Sequence, residues 1–351
     1  MHIPDGYLSP QTCAVMGAAM LPVWATAVKK VKQTLKARYV PLMAIGAAFS
    51  FVIMMYNVPI PDGTTAHAVG GALLAVILGP WAATIAITVA LAIQALLFGD
   101  GGILAFGANT FNMAFVLPFT AYYIYRLIAG RSGLTSSRRW IGGLVGGYVG
   151  IVLAAVCAGV EFGLQPLLFH SPGGAPLYCP YPLGMAVSAM AFAHLTIAGP
   201  IEGVVTALVI RYLQASNPAM LAIAGGETAG EVHGYKKLWW GLVALILLSP
   251  LGLLASGTAW GEWGADELKD KLGFIPAGLQ KMSDRWHALM PDYGVPGLDH
   301  SFLQSATGYV LAAVVGVAII AGITYLFSRA QKTNGRDTYP AENNIKRTEV
   351  K

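Results

Sequence analysis

Long apolar stretches alternate with short polar ones along this chain, at about 11–29, 40–56, 67–98, 104–128, 139–163, 183–212, 237–256 and 306–328. Nearly all reach the roughly 20 residues of helix that cross a bilayer's hydrocarbon, so the pattern predicts an all-α polytopic membrane protein. The positive charges fall in the gaps and at the ends of the stretches. Lys29, Lys30, Lys32, Lys36 and Arg38 form one cluster, and Arg126, Arg131, Arg138 and Arg139 a second. Arg211, Lys236 and Lys237 form a third, and the tail after Phe327 carries more. Basic loops stay on the cytoplasmic side, which leaves Asp5, Asp62, Asp100 and most of 257–305 outside.

Parity then tests the stretch 67–98. The chain is outside near residue 60 and inside near residue 130, which demands an odd number of crossings. One helix at 67–98 and one at 104–128 give two. A tight hairpin at Gly79-Pro80 supplies the missing turn, since a Gly-Pro pair ends helices. About nine transmembrane helices follow, with the amino terminus outside and the carboxyl terminus inside. The first arm, about 67–79, is too short to span unless other helices bury it.

Composition removes other classes. The 351 residues are 56% hydrophobic and 11% charged, against roughly 25% charged in soluble domains. Mean hydropathy is +0.60. Cys13, Cys157 and Cys179 form neither a CxxC nor an even set, so they read as packing residues. The first ten residues lack the basic segment and apolar core of a signal peptide, which predicts an uncleaved chain. The sequence holds no GxxxxGK[ST] phosphate loop and no HExxH, so it is read as neither an ATPase nor a metalloprotease, and not as an enzyme. No nucleic-acid partner is expected.

The candidate chemistry lies at the start. The Met1 amine and the His2 backbone nitrogen close a five-membered ring on a metal, and the backbone and ring nitrogens of His2 close a six-membered one. A fourth nitrogen is needed. His67 begins the short arm on the same outer face and is the leading candidate. Pro4-Asp5-Gly6 and Pro61-Asp62-Gly63 each favour a turn within four residues of one of these histidines. A square of four nitrogens, one a deprotonated amide, suits Ni(II), Cu(II) or low-spin Co(II) rather than Zn(II), Mg(II) or Ca(II).

MHIPDGYLSP at 1–10, the loop NVPIPDGTTAH before His67, ILAFGANTFNMAF at 103–115 and GPIEGVVTA at 199–207 appear in this order. They resemble the CbiM/NikM family, the substrate-binding membrane components of energy-coupling-factor importers for cobalt and nickel. The resemblance covers about 1–235 and implies about seven transmembrane helices there. It also implies a metal held by the Met1 amine, the backbone and ring nitrogens of His2, and the His67 ring. Energy would come from a transmembrane coupling (T) subunit and ATP-binding cassette subunits in the cell (inner) membrane, the Ni2+ or Co2+ being transported substrate rather than cofactor. Cobalamin biosynthesis is one use of imported cobalt. Residues 236–351 more weakly resemble the two-helix CbiN/NikN companion. The external segment at about 257–305 reads as a cap or as a spacer. An ion-driven secondary metal carrier or channel is the alternative.

Other polar residues carry open readings. His194 and Glu202, eight apart, would share a face as a metal relay, a structural polar pair, or groups paired with backbone. Glu161 is likewise ambiguous. Asn109 and Asn112 could orient the His2 or His67 ring, or bond helix to helix. His170, His233, His287 and His300 read as solvated loop residues. Ala44-Ile45-Gly46-Ala47-Ala48 offers a small-residue face, for docking a coupling subunit or for internal packing.

Overall fold

Ser9 opens the first helix: its Oγ accepts the N–H of Thr12 at 3.0 Å, and Pro10 fills the first turn, where no backbone bond is lost. From there α1 runs Pro10–Thr34 and turns Val15 and Leu21 outward, both more than half exposed. Large apolar side chains facing outward on a long helix fit hydrocarbon rather than water.

The computed structural model describes residues 1–35, 39–60, 64–225, 235–255, 257–283 and 285–334. Lys36, Arg38, the turn Pro61-Asp62-Gly63, His233 and the tail beyond 334 lie outside the described residues. The succession is α2 (Val40–Met54), the antiparallel hairpin β1 (Val58–Ile60) and β2 (Thr64–Ala66), α3 (Gly71–Leu78) and α4 (Pro80–Ile93). Next come α5 (Phe106–Thr110), α6 (Leu117–Ala129), α7 (Ser137–Leu168), α8 (Leu183–Ala193) and α9 (Gly199–Ser216). The remainder holds α10 (Tyr235–Leu248), α11 (Ala265–Leu272), α12 (Ala277–Ser283) and α13 (Phe302–Asn334).

Among the described residues, six helices are long and apolar enough to cross a membrane: Pro10–Thr34, Pro80–Phe98, Ser137–Leu168, Leu183–Ser216, Tyr235–Leu254 and Phe302–Leu326. The chain is a multi-pass membrane protein. The other three expected crossings fold differently. At 40–56 stands the 15-residue α2, at 67–79 the 8-residue α3, and at 104–128 a helix broken by a π-helical turn at Phe111–Val116.

The Gly79-Pro80 hairpin is present, with Gly79 at φ +87, a conformation open to glycine, and Pro80 starting α4. Its short arm α3 is about 12 Å long and every one of its residues is buried. Burial among neighbours therefore replaces membrane contact for this arm. The small-residue face of α2 is also internal. Ala44, Ala47 and Ala48 are buried, and a side chain added at Gly46 would press on Leu74 of α3. At this face the internal-packing reading prevails.

Candidate metal centre

Residues 1–8 fold inward rather than trailing from α1. Met1, His2, Ile3, Tyr7 and Leu8 are all buried. The Pro4-Asp5-Gly6 turn makes this possible: Tyr7 N–H reaches the Pro4 carbonyl at 3.4 Å across Gly6, whose φ is +93. Asp5 then fastens the turn to the segment ahead of α5. Its Oδ1 accepts the N–H of Leu104 at 2.8 Å and of Ala105 at 3.2 Å, while Oδ2 accepts that of Ile103 at 3.1 Å. Burial raises the Asp5 carboxyl above its ordinary range, and those three N–H groups pull it back. The Gly102 N–H donates to the Ile3 carbonyl at 2.8 Å.

Asn109 completes this clamp. Its Oδ1 accepts the Ile3 N–H at 2.7 Å and its Nδ2 donates to the Ile3 carbonyl at 3.0 Å. It thus fixes the backbone next to His2 rather than either imidazole. Asn112 holds no ring either, donating to Glu161 Oε2 at 2.9 Å, so the helix-to-helix reading applies to it. Asn112 lies inside the π turn Phe111–Val116 and meets α7, whereas Asn109, one residue before that turn's cap, meets the backbone of Ile3.

His67 sits at the end of β2, 4% exposed, and its ring centroid is 5.1 Å from that of His2. Its Nδ1 lies 3.1 Å from the Ala68 carbonyl, which assigns the proton to Nδ1 and leaves the lone pair on Nε2. Burial, then the amino-terminal charge and His2, hold the His67 pKa well below the ordinary histidine value. Nε2 of His67 and both ring nitrogens of His2 have no hydrogen-bond partner among the described residues. Buried ring nitrogens converging from two segments have the chemistry to hold a metal ion.

Glu202 is part of this architecture from below. Its Oε2 accepts the N–H of Val69 and Gly70, each at 2.8 Å, and Oε1 that of Ala72 at 3.0 Å. It caps α3 and fixes the backbone that follows His67. No hydrogen bond joins it to His194, whose Nδ1 is 2.8 Å from the Met190 carbonyl. Each is thus paired with backbone, the third of the readings the sequence left open, and a π turn at His194–Ala198 lies between them. Of the loop histidines described, His170 is exposed beside the Ser171 carbonyl, and His300 is exposed beside Asp299.

Two acids that sequence reasoning left unassigned reach the same nitrogens. Glu262 Oε1 lies 2.8 Å from the Met1 amine. Asp100 Oδ1 lies 2.9 Å from His2 Nδ1, an ion-pair distance off the line of a hydrogen bond. Burial would raise the Asp100 carboxyl, but the rings of His2 and His67 and the Tyr293 hydroxyl hold it below the usual carboxylate range. Tyr293 donates to Asp100 Oδ2 and accepts from Gln94 Nε2 at 2.7 Å. The only sequence signal for either acid was its expected place on the outer face.

The segment after α10 covers this site. The Tyr7 hydroxyl donates to the Trp263 carbonyl at 2.8 Å, and Trp260, Trp263, Tyr181 and Phe162 form one aromatic cluster above it. On the other flank, Met290 N–H meets the Leu97 carbonyl at 2.9 Å and Trp286 Nε1 the Leu96 carbonyl at 3.2 Å. These contacts make the segment a cap rather than a spacer.

The family model for the cobalt uptake substrate-specific transmembrane region, CbiM, matches residues 2–220, and the PDGLE domain model matches 236–333. The chain is 51% identical over 340 residues to the fused nickel transport protein NikMN of Rhodobacter capsulatus, covering 92% of this chain and 96% of that one. To the probable fused nickel transport protein LarMN of Lactiplantibacillus plantarum it is 48% identical over 327 residues, covering 91% and 95%. A crystal structure of a truncated transition metal transporter aligns with TM-score 0.58 and 61% identity, over 61% of this chain and 99% of that one.

Proposed function

This chain belongs to the CbiM family of cobalt uptake substrate-specific transmembrane regions and carries a PDGLE domain behind it, and from that premise we propose that it captures Ni2+ or Co2+ outside the cell for import. The observation that carries the reading is the meeting of the buried Met1 and His2 with His67, ring centroids 5.1 Å apart, beneath the cap. In this reading the Met1 amine, the His2 amide and ring, and His67 Nε2 close on the ion as a square of nitrogens. That set favours Ni(II) and low-spin Co(II) and disfavours the oxygen-seeking Mg(II) and Ca(II).

The chain is the substrate-specific component of an energy-coupling-factor importer. Residues 1–235 bind the metal through about seven transmembrane helices and 236–351 are the companion. In this reading the six long helices, with the shorter α2, the buried α3 and the broken helix at 104–128 completing the count, make nine crossings, and the amino terminus and its chelate face outward. ATP is hydrolysed by cassette partners and transmitted through a T subunit, since the chain has no phosphate loop of its own. Its similarity to fused nickel transport proteins supports nickel as the first ion to test.

The test is equilibrium binding of Ni2+ and Co2+ to the purified protein after one residue is added before Met1, and after His2→Ala and His67→Ala. Each change removes at least one nitrogen or its approach and should weaken binding severely. Undiminished affinity in all three would remove the chelate.

A further inference from the structure

Two carboxylates stand where the nitrogens of the proposed chelate must become free. Glu262 Oε1 is 2.8 Å from the Met1 amine and Asp100 Oδ1 is 2.9 Å from His2 Nδ1. One ligand atom each from His2, Asp100 and Glu262 lies within 4.8 Å of the other two, a spread that one divalent ion can bridge. The side chains of both acids are 17% exposed, whereas Met1, His2 and His67 are at most 4% exposed. The acids are the rim that water reaches. Behind them are the buried, unpartnered ring nitrogens of His2 and His67.

We infer that Asp100 and Glu262, with the His2 ring, form a loading station: a weaker, oxygen-rich site that receives Ni2+ or Co2+ before the ion passes to the nitrogens. It rests on the chelate reading and adds an earlier step to it. A hydrated divalent ion exchanges water for carboxylate oxygen with no amide to deprotonate, so the rim is the site it can take first. Binding there draws the Glu262 and Asp100 oxygens onto the ion and away from Met1 N and His2 Nδ1. Capture thereby uncovers the nitrogens that replace the oxygens. As the metal–nitrogen bonds form, one proton leaves the Met1 ammonium and one the His2 amide, both to water, the neutral His2 ring carries its single N–H on Nε2 while Nδ1 binds, and the carboxylates are released. Asp100 follows α4 and Glu262 follows α10, so the station exists only while the cap sits on the outer face.

The experiment is stopped-flow mixing of Ni2+ with the full-length protein, following the absorption of nickel in an all-nitrogen square. Asp100→Asn and Glu262→Gln should each slow association about tenfold or more, the scale on which a charged rim raises on-rates. The end spectrum should stay that of the parent. Association as fast as the parent's in both variants overturns the station, and so does a changed end spectrum, which would put the acids in the final site. A second measurement does not need the chelate: His67→Ala should still bind Co2+ weakly in an oxygen-rich environment by X-ray absorption, and adding Glu262→Gln should abolish that binding. Persistence of the signal in the double variant overturns the station. Failure of the chelate reading appears separately, as full affinity in the protein extended before Met1.

Discussion

Glu202 accepts the backbone N–H of Gly70 at 2.8 Å, tying a buried carboxylate in α9 to the strand-helix junction just beyond His67. Val69 and Ala72 share the same carboxylate. Replacing Glu202 by Ala leaves three buried N–H groups without their acceptor. A loss of at least about 2 kcal/mol of stability is expected, because hydrogen bonds to a charged group contribute about 1.5–3 kcal/mol each. Denaturant unfolding in detergent measures it. Nickel affinity should fall in parallel, since the backbone that presents His67 loosens.

The Asp5 clamp makes a second prediction, in which sterics and charge agree. A Cβ at Gly102 would lie 2.1 Å from Asp5 Oδ1 and 2.4 Å from the Asp5 backbone nitrogen, so Gly102→Ala cannot keep the clamp closed. Asp5→Ala removes the acceptor for three N–H groups by another route. Each variant should cost about 1–3 kcal/mol and expose the amino terminus. Chemical labelling of the Met1 amine, faster in both variants than in the parent, reads this directly.

How much of this was legible beforehand depends on the range of the signal. The Gly79-Pro80 hairpin and the buried short arm followed from parity and local turn chemistry, and the approach of His2 to His67 followed from putting both on one face. The partners of these residues did not follow. Glu262 is 261 residues from Met1, and nothing in the external segment's sequence fixes which of its acids turns inward. Helical periodicity failed for a different reason. The expected faces of Asn109 with Asn112 and of His194 with Glu202 assume unbroken α-helix, and π turns at Phe111–Val116 and His194–Ala198 break that register.

The cap should loosen when its bridge to Asp100 is cut. Tyr293 is stacked on Phe98, 4.8 Å between ring centroids, and its hydroxyl joins Gln94 to Asp100. Asp292 and Tyr293 adopt φ of 50 and 61, a left-handed conformation that non-glycine residues hold only under constraint. Tyr293→Phe keeps the stacking and deletes the bridge. A local loss of about 1 kcal/mol is expected. Hydrogen exchange at the Met290 amide, which bonds the Leu97 carbonyl, should then run about fivefold faster.

Metal binding should release two protons, and the sign follows from the donor set. The Met1 ammonium, 2.8 Å from Glu262 Oε1, gives up one proton to become a donor. The His2 amide gives up the other. His67 contributes none: burial lowers its folded pKa, so it is already neutral, and its neutral form is lost only as pH falls below that depressed value. Nickel affinity should therefore rise with pH by about a hundredfold per unit below neutrality, two protons' worth. Calorimetry in buffers of different ionisation enthalpy counts the protons. Release of a single proton would mean that the His2 amide keeps its hydrogen and that the square of four nitrogens does not form.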